Sequence, residues 1–226
     1  MRSIDNIVVP QGLEYQAVCR GLLQAKAENV RVIAIPIGDR HTEAVLANYS
    51  QQLADARGVL IMGLCGGICE SHTVGDGVVV KSCSNKNRDR LNLDDELTTI
   101  IQHKLSVDVV HGLTSDRVIT RYSEKLKLAR EYQANIVDME GYGYISYLQP
   151  QVSVAMLRVV SDDARGDIPD IAHAIDERGK LKTIPLAIAL CKQPIAAIRL
   201  IRGSLTGLKV LQQITTRLFT QSNNLL

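Results

Sequence analysis

The sequence lacks a strong charge of either sign, a cysteine pattern, a long apolar run and any stretch that reads as a linker. Its 226 residues carry 26 Lys and Arg against 24 Asp and Glu, a formal net charge of +2. Basic residues gather only around Lys81 to Arg90, so the electrostatic footprint of a polyanion binder is missing and no nucleic-acid partner is expected. The five cysteines (Cys19, Cys65, Cys69, Cys83, Cys191) are odd in number and have no paired short spacing. With no charged-then-apolar leader before the first strand, they point to a reducing, cytoplasmic setting. Cys65 and Cys69 have only His72 as a nearby nitrogen ligand, and no second ligand pair follows at zinc spacing, so no metal is expected. The apolar run Ile184 to Cys191 is about half of what a membrane span requires. No Pro-, Gly- or Ser-rich stretch divides the chain, which reads as one domain over residues 1–226.

What is present is a series of short apolar runs that stop abruptly. Val59 to Met62 leads into Gly63-Leu64-Cys65-Gly66-Gly67-Ile68, with further glycines at Gly75 and Gly77. That pattern suits a strand buried on both faces feeding a glycine loop where a ligand can approach the backbone. Ile136-Val137-Asp138-Met139-Glu140-Gly141 and Leu157-Arg158-Val159-Val160-Ser161-Asp162-Asp163 also read as apolar strands, each ending in carboxylates. Ligands of parallel α/β sheets sit beyond the carboxyl ends of the strands, so these three ends are expected to line one crevice.

The rest of the chain follows the grammar of a parallel sheet. Strands are expected at 4–9, 30–36, 58–62, 77–82, 107–113, 136–139 and 152–160, with a short extended piece at 118–120. Helices are expected at 14–27, at 42–56 with Thr42 as N-cap, from Asp94 or Asp95 to 103, at 123–132 with Ser123 as cap, at 141–148 and at 194–219. Residues 84–92 read as an exposed loop, and everything beyond Pro169 as helical. The expected fold is a three-layer αβα arrangement around a twisted, mainly parallel but mixed sheet.

The motifs Gly63-Leu64-Cys65-Gly66-Gly67-Ile68, Val74-Gly75-Asp76-Gly77-Val78-Val79, Val137-Asp138-Met139-Glu140 and Arg158-Val159-Val160-Ser161-Asp162 together resemble the nucleoside phosphorylase and nucleosidase superfamily. In size the chain is nearest to its methylthioadenosine/S-adenosylhomocysteine nucleosidases and hopanoid-associated phosphorylase-like proteins. The resemblance implies cleavage of a purine nucleoside's N-glycosidic bond, with no metal or organic cofactor and with a homodimer as the usual assembly. It implies Asp162 as the acid that protonates the departing purine, oriented by Ser161, its pKa raised by burial or by the neighbouring Asp163. Glu140 would hold the ribose hydroxyls with Met139 against the sugar, and Glu14 would position an attacking water. Cys65, Gly66 and Gly67 would line the substrate, and Val118 and Ile119 the base pocket, without the aromatic residue expected to stack on a purine.

Taken alone, Asp162 also reads as a turn cap, and Glu140 and Glu14 as acids in the first turn of helices. Phosphate remains open as a co-substrate beside water. The chain lacks the Gly-Asp-Pro-x-x-Arg loop of the larger phosphorylases and has Ile61 and Leu64 where they place Arg and a hydroxyl. Arg40 and Arg117 are then the candidates to hold the anion. A Leu-Cys-Gly-Gly run is nearer the hopanoid-associated group and implies a large apolar 5′ substituent. A non-catalytic nucleoside binder is the alternative of another class, against which the three carboxylates Glu14, Glu140 and Asp162 argue. A dinucleotide-binding Rossmann site is excluded by glycine spacing.

Overall fold

The computed structural model describes residues 3–36, 42–171 and 183–220. In chain order the elements are β1 (Asn6–Pro10), α1 (Leu13–Ala25), β2 (Arg31–Ile35), α2 (Thr42–Ala47), α3 (Ser50–Ala54), β3 (Val59–Gly67), β4 (Gly77–Ser84), β5 (Arg90–Asn92), α4 (Asp95–Leu105), β6 (Asp108–Thr114), α5 (Tyr122–Tyr132), β7 (Ile136–Asp138), α6 (Gly141–Leu148), β8 (Val154–Asp162), α7 (Thr183–Lys192) and α8 (Pro194–Phe219). The sheet is mixed and mainly parallel, as expected. β2, β1, β3 and β8 run parallel in that order, as do β4, β6 and β7, while β8–β4, β3–β7 and β4–β5 are antiparallel.

The pairings β3–β8–β4–β6–β7–β3 close a ring of five strands, with β1 and β2 as a wing on β3 and β5 on the outer edge of β4. β3 and β8 are the spine of this arrangement. Each is nine residues long and almost wholly buried, which accounts for their continuous rather than alternating apolar sequences. One core lies between the sheet and the side of α2, α3 and α6, with Leu46, Leu53, Tyr144, Ile145 and Leu148. A second lies under α1, α4 and α8, with Val18, Leu22, Leu97, Ile101, Leu211 and Ile214.

Several boundaries differ from the sequence reading for physical reasons. β3 does not stop at Met62 but runs through Gly63, Gly66 and Gly67, with a register shift between Cys65 and Gly66, so these glycines are strand residues rather than a loop. The expected helix from Thr42 is broken at Asn48–Tyr49, and Thr42 is its first helical residue. β5 falls within the segment read as a loop. Val118 to Thr120 forms no strand. The N-cap of α5 is Arg121, not Ser123, and the Tyr122 N–H is taken by Asp167 Oδ1 at 2.9 Å. Asp94 does cap α4, accepting from the Leu97 N–H at 3.0 Å. The expectation of helix beyond Pro169 holds for α7 and α8 but not for residues 169–171, which form no helix, while residues 172–182 and 221–226 lie outside the described residues.

α8 crosses β8 at two glycines. A Cβ on Gly203 would overlap the Ser161 carbonyl oxygen, and one on Gly207 would lie 3.0 Å from Leu64 Cδ2 and 3.5 Å from Ser161 Cβ. The helix therefore rests directly on the strand end that carries Ser161 and Asp162. No described helix is long and apolar enough to cross a membrane.

Candidate active site

The site arises where the sheet splits. On one side of β3, β1 pairs with Val59 to Ile61 and β7 with Gly66 and Gly67, which leaves Met62 to Cys65 without a strand on that edge. Side chains replace the missing ladder: the Leu64 N–H donates to Glu14 Oε1 at 2.6 Å, and Arg158 Nη1 donates to the Met62 carbonyl at 3.3 Å. Gly63 makes this possible, because a Cβ there would lie 2.5 Å from Arg158 Nη1 and 2.8 Å from Glu14 Oε1. A glycine notch thus brings a carboxylate and a guanidinium together at the bottom of the split.

A cavity of about 160 Å³ fills the split, lined by Pro10 and Glu14 on one side, Leu64 to Gly66 on the floor, Val137 to Glu140 opposite, Ser161 and Asp162 at the end of β8, and Arg117 to Ile119. It brings together Glu14, Cys65, Gly66, Arg117, Val118, Ile119, Met139, Glu140, Ser161 and Asp162 from five separate stretches of chain. Gly67 is not part of the lining. Beyond the register shift its α-carbon faces Val160 and the His72 carbonyl, at 3.3 and 3.4 Å from an added Cβ, so its role is close packing. Arg40 lies outside the described residues. Among the described residues no group of three or more His, Cys, Asp or Glu is placed to hold a metal ion.

The electrostatics are dominated by charges that are buried and paired. Arg158 and Asp138 meet at 2.6 Å, with side-chain exposures of 0% and 4%. Asp138 is also held by the Thr114 hydroxyl at 2.7 Å and the Gly141 N–H at 3.1 Å. Burial alone would lower the Arg158 guanidinium, but the charges of Asp138 and Glu140 leave it above its ordinary value. Glu14 keeps an opening to the cavity, yet protein crowds it closely. Burial raises its carboxyl to about 7, opposed by the Leu64 N–H and by the charge of Arg158. Burial also pushes the Cys65 thiol well above its ordinary range, so Cys65 presents a neutral, weakly polar wall. Glu140 is buried at the N-cap of α6.

Asp162 has a different neighbour from the one expected. Asp163 turns away to pair with Arg199 of α8 and to cap the Arg165 N–H at 3.2 Å, so its charge is not spent on Asp162. Instead Lys125 Nζ, with an exposure of 0%, forms an ion pair with Asp162 Oδ2 and donates to the Asp163 carbonyl at 3.1 Å. Ser161 Oγ lies 3.3 Å from Asp162 Oδ1 and 3.2 Å from the Cys65 carbonyl. Arg117, expected as an anion ligand, lines the cavity but is engaged by both carboxylate oxygens of Glu124.

The sequence reading assigns no role to three site charges, Arg158, Asp138 and Lys125. Each had a signal. Arg158 interrupts an otherwise apolar strand, and Asp138 directly precedes the expected Met139 and Glu140. Lys125 stands on the apolar stripe of α5, three, four and seven residues before Leu128, Ala129 and Tyr132.

No family model matches the chain, and no curated protein matches it. Solved structures do. Futalosine hydrolase of Helicobacter pylori strain 26695 superimposes with a TM-score of 0.70 at 13% identity, over 94% of this chain and 95% of that one. The 5′-methylthioadenosine nucleosidase of Arabidopsis thaliana gives 0.69 at 14% identity, over 99% and 98%. The 5′-methylthioadenosine/S-adenosylhomocysteine nucleosidase of S. pneumoniae, solved with the transition-state inhibitor MT-ImmA, gives 0.68 at 12% identity, over 95% and 97%. The chain shares the fold of these nucleosidases along nearly its whole length.

Proposed function

We propose that this protein hydrolyses the N-glycosidic bond of a purine-type nucleoside bound in the split between β1 and β7. The observation that carries this reading is the charge of the cavity wall. Glu14, Asp138, Glu140 and Asp162 line it, and the cations beside them among the described residues are already committed, Arg117 to Glu124, Arg158 to Asp138 and Lys125 to Asp162. Such a wall favours a sugar that develops positive charge and disfavours a phosphate dianion, so water is the nucleophile. The fold likeness to nucleosidases supports the same choice.

Each group has a task in this reaction. Glu14, with a carboxyl near 7, accepts the proton of the attacking water at neutral pH, the condition under which a general base is most effective. Glu140 accepts hydrogen bonds from the two vicinal ribose hydroxyls, and its charge stabilises the oxocarbenium-like sugar. Asp162 protonates the base as the C1′–N9 bond breaks and the bonding electrons pass to the purine. Leu64, Cys65, Val118, Ile119 and Met139 form an aliphatic and sulfur-containing wall for the apolar parts of the substrate.

The test is to incubate the protein with methylthioadenosine, S-adenosylhomocysteine, futalosine and an adenosine bearing a long apolar 5′ substituent, each with and without phosphate. The expected products are free base and free sugar at a rate that phosphate does not change. Formation of a sugar 1-phosphate would replace hydrolysis by phosphorolysis. No base release from any nucleoside would leave a binding protein.

A further inference from the structure

We infer that Lys125 is the proton reservoir for departure of the base, acting through Asp162; this rests on the hydrolytic reading above. Among the described residues, the hydrogen-bond donors on Asp162 are Lys125 Nζ and Ser161 Oγ. Ser161 has one proton for two acceptors, Asp162 and the Cys65 carbonyl. The fully buried ammonium of Lys125 is the neighbour with protons to spare, and it forms an ion pair with Asp162 Oδ2. In that ion pair the carboxylate has no proton of its own to donate, and Lys125 is the protein neighbour placed to supply one.

The step balances as follows. The C1′–N9 bond breaks and its electron pair moves to the base. The base takes a proton from Asp162, Asp162 takes one from Lys125, and the lysine is left as a neutral amine. Water adds at C1′ and gives its proton to Glu14. After release of the products Lys125 regains a proton from solvent by way of Asp162, which lines the cavity, and Glu14 loses one, which restores the starting state. The position of Lys125 is not explained by stability. A buried ion pair gains little over apolar residues of similar size, and Lys125 stands where α5 otherwise presents Leu128, Ala129 and Tyr132 to the core.

The decisive measurement compares two leaving groups. A purine nucleoside needs a proton as its base departs; 4-nitrophenyl β-ribofuranoside does not, because its leaving group departs as a stable anion. Lys125→Met is expected to lose at least about 100-fold in kcat/KM on the purine nucleoside, the scale of general-acid catalysis, and to stay within about threefold of wild type on the nitrophenyl riboside. Equal losses on both substrates, or none on either, would overturn the assignment. Should Lys125→Met not fold, Asp162→Asn is compared with Asp162→Asn/Lys125→Met, in which no buried charge is left unpaired. Equal purine-release rates are expected, and a further large loss in the double variant would overturn it. Wild-type protein that cleaves neither substrate would instead refute hydrolysis itself.

Discussion

The Leu64 N–H donates to Glu14 Oε1 at 2.6 Å, joining the start of α1 to the unpaired edge of β3. The bond fixes the one carboxyl in the cavity that burial holds at about 7. A base with that value is half ionised at neutrality, so kcat/KM should rise with pH, level off above about 7, and follow the Glu14 titration. Glu14→Gln keeps the acceptor oxygen for Leu64 but cannot take a proton; its rate should fall by two or more orders of magnitude. A wild-type profile flat from pH 5.5 to 8.5 would remove Glu14 from that role.

The same residue sets a stability trend. The Glu14 carboxyl is raised from 4.5 to about 7 on folding, so the folded state prefers the protonated form. Its stabilising contribution is fully present below 4.5 and is lost as pH rises through about 7. Glu14→Gln does not titrate and should therefore melt higher than wild type at pH 8, by about 2–4 °C for each kcal/mol recovered in a chain of this size. The difference should shrink towards zero at pH 4.5. A variant that melts lower than wild type at pH 8 would mean that the Leu64 contact is worth more than the cost of ionisation.

Glu140 faces the cavity from the start of α6, next to Met139. If it holds both ribose hydroxyls, Glu140→Gln should cost a ribonucleoside at least about tenfold more in kcat/KM than the matching 2′-deoxynucleoside, which has already lost one partner. The comparison is a ratio of ratios, so a general loss of folding cancels. Equal penalties would place Glu140 away from the sugar.

How much of this was legible depends on what interrupts the pattern. α6 and α8 lie where they were expected because Gly141 and Pro194 punctuate their starts. The sequence reading ends β3 at Met62 because the glycines that follow suit a ligand-binding loop; in the fold β8 holds Gly63 extended along one edge, and β7 joins the other edge at Gly66 and Gly67. β5 is an exposed edge of three residues and carries no apolar alternation. The ring closure rests on pairings between strands far apart in the chain, which no local pattern encodes. Asp162, Glu140 and Glu14 were singled out through the motifs of the family resemblance, and the fold brings all three to one cavity. Lys125 and Arg158 could not be placed because a single basic residue is most often solvated, and only the packing shows that these two have no access to water.

Arg158 offers a test of the buried pair beneath the cavity. Arg158→Met leaves the buried Asp138 carboxylate supported, among the described residues, by Thr114 and Gly141 alone, and should cost about 3–5 kcal/mol. Adding Asp138→Asn removes the stranded charge and should recover more than half of that loss in urea unfolding. No recovery would mean that Arg158 contributes through Met62 and through packing rather than through its partner. Activity should remain low in both variants, since Glu14 loses the cation that opposes its protonation.

Gly203→Ala sets two effects of opposite sign against each other. In an exposed helix the change would stabilise by about 1 kcal/mol, because alanine has the higher helix propensity. Here the new methyl would overlap the Ser161 carbonyl oxygen, and a backbone atom cannot rotate away. Overpacking of this kind costs about 1–3 kcal/mol, so the variant should melt lower than wild type, whereas Lys209→Ala on the exposed face of α8 should change little. The carbonyl that is struck belongs to the residue before Asp162, so the shift should also reach the Lys125 pair and reduce base release more than the stability loss explains. A variant that is more stable and fully active would show that α8 can lift from β8 without cost, and that the glycine crossing does not position the site.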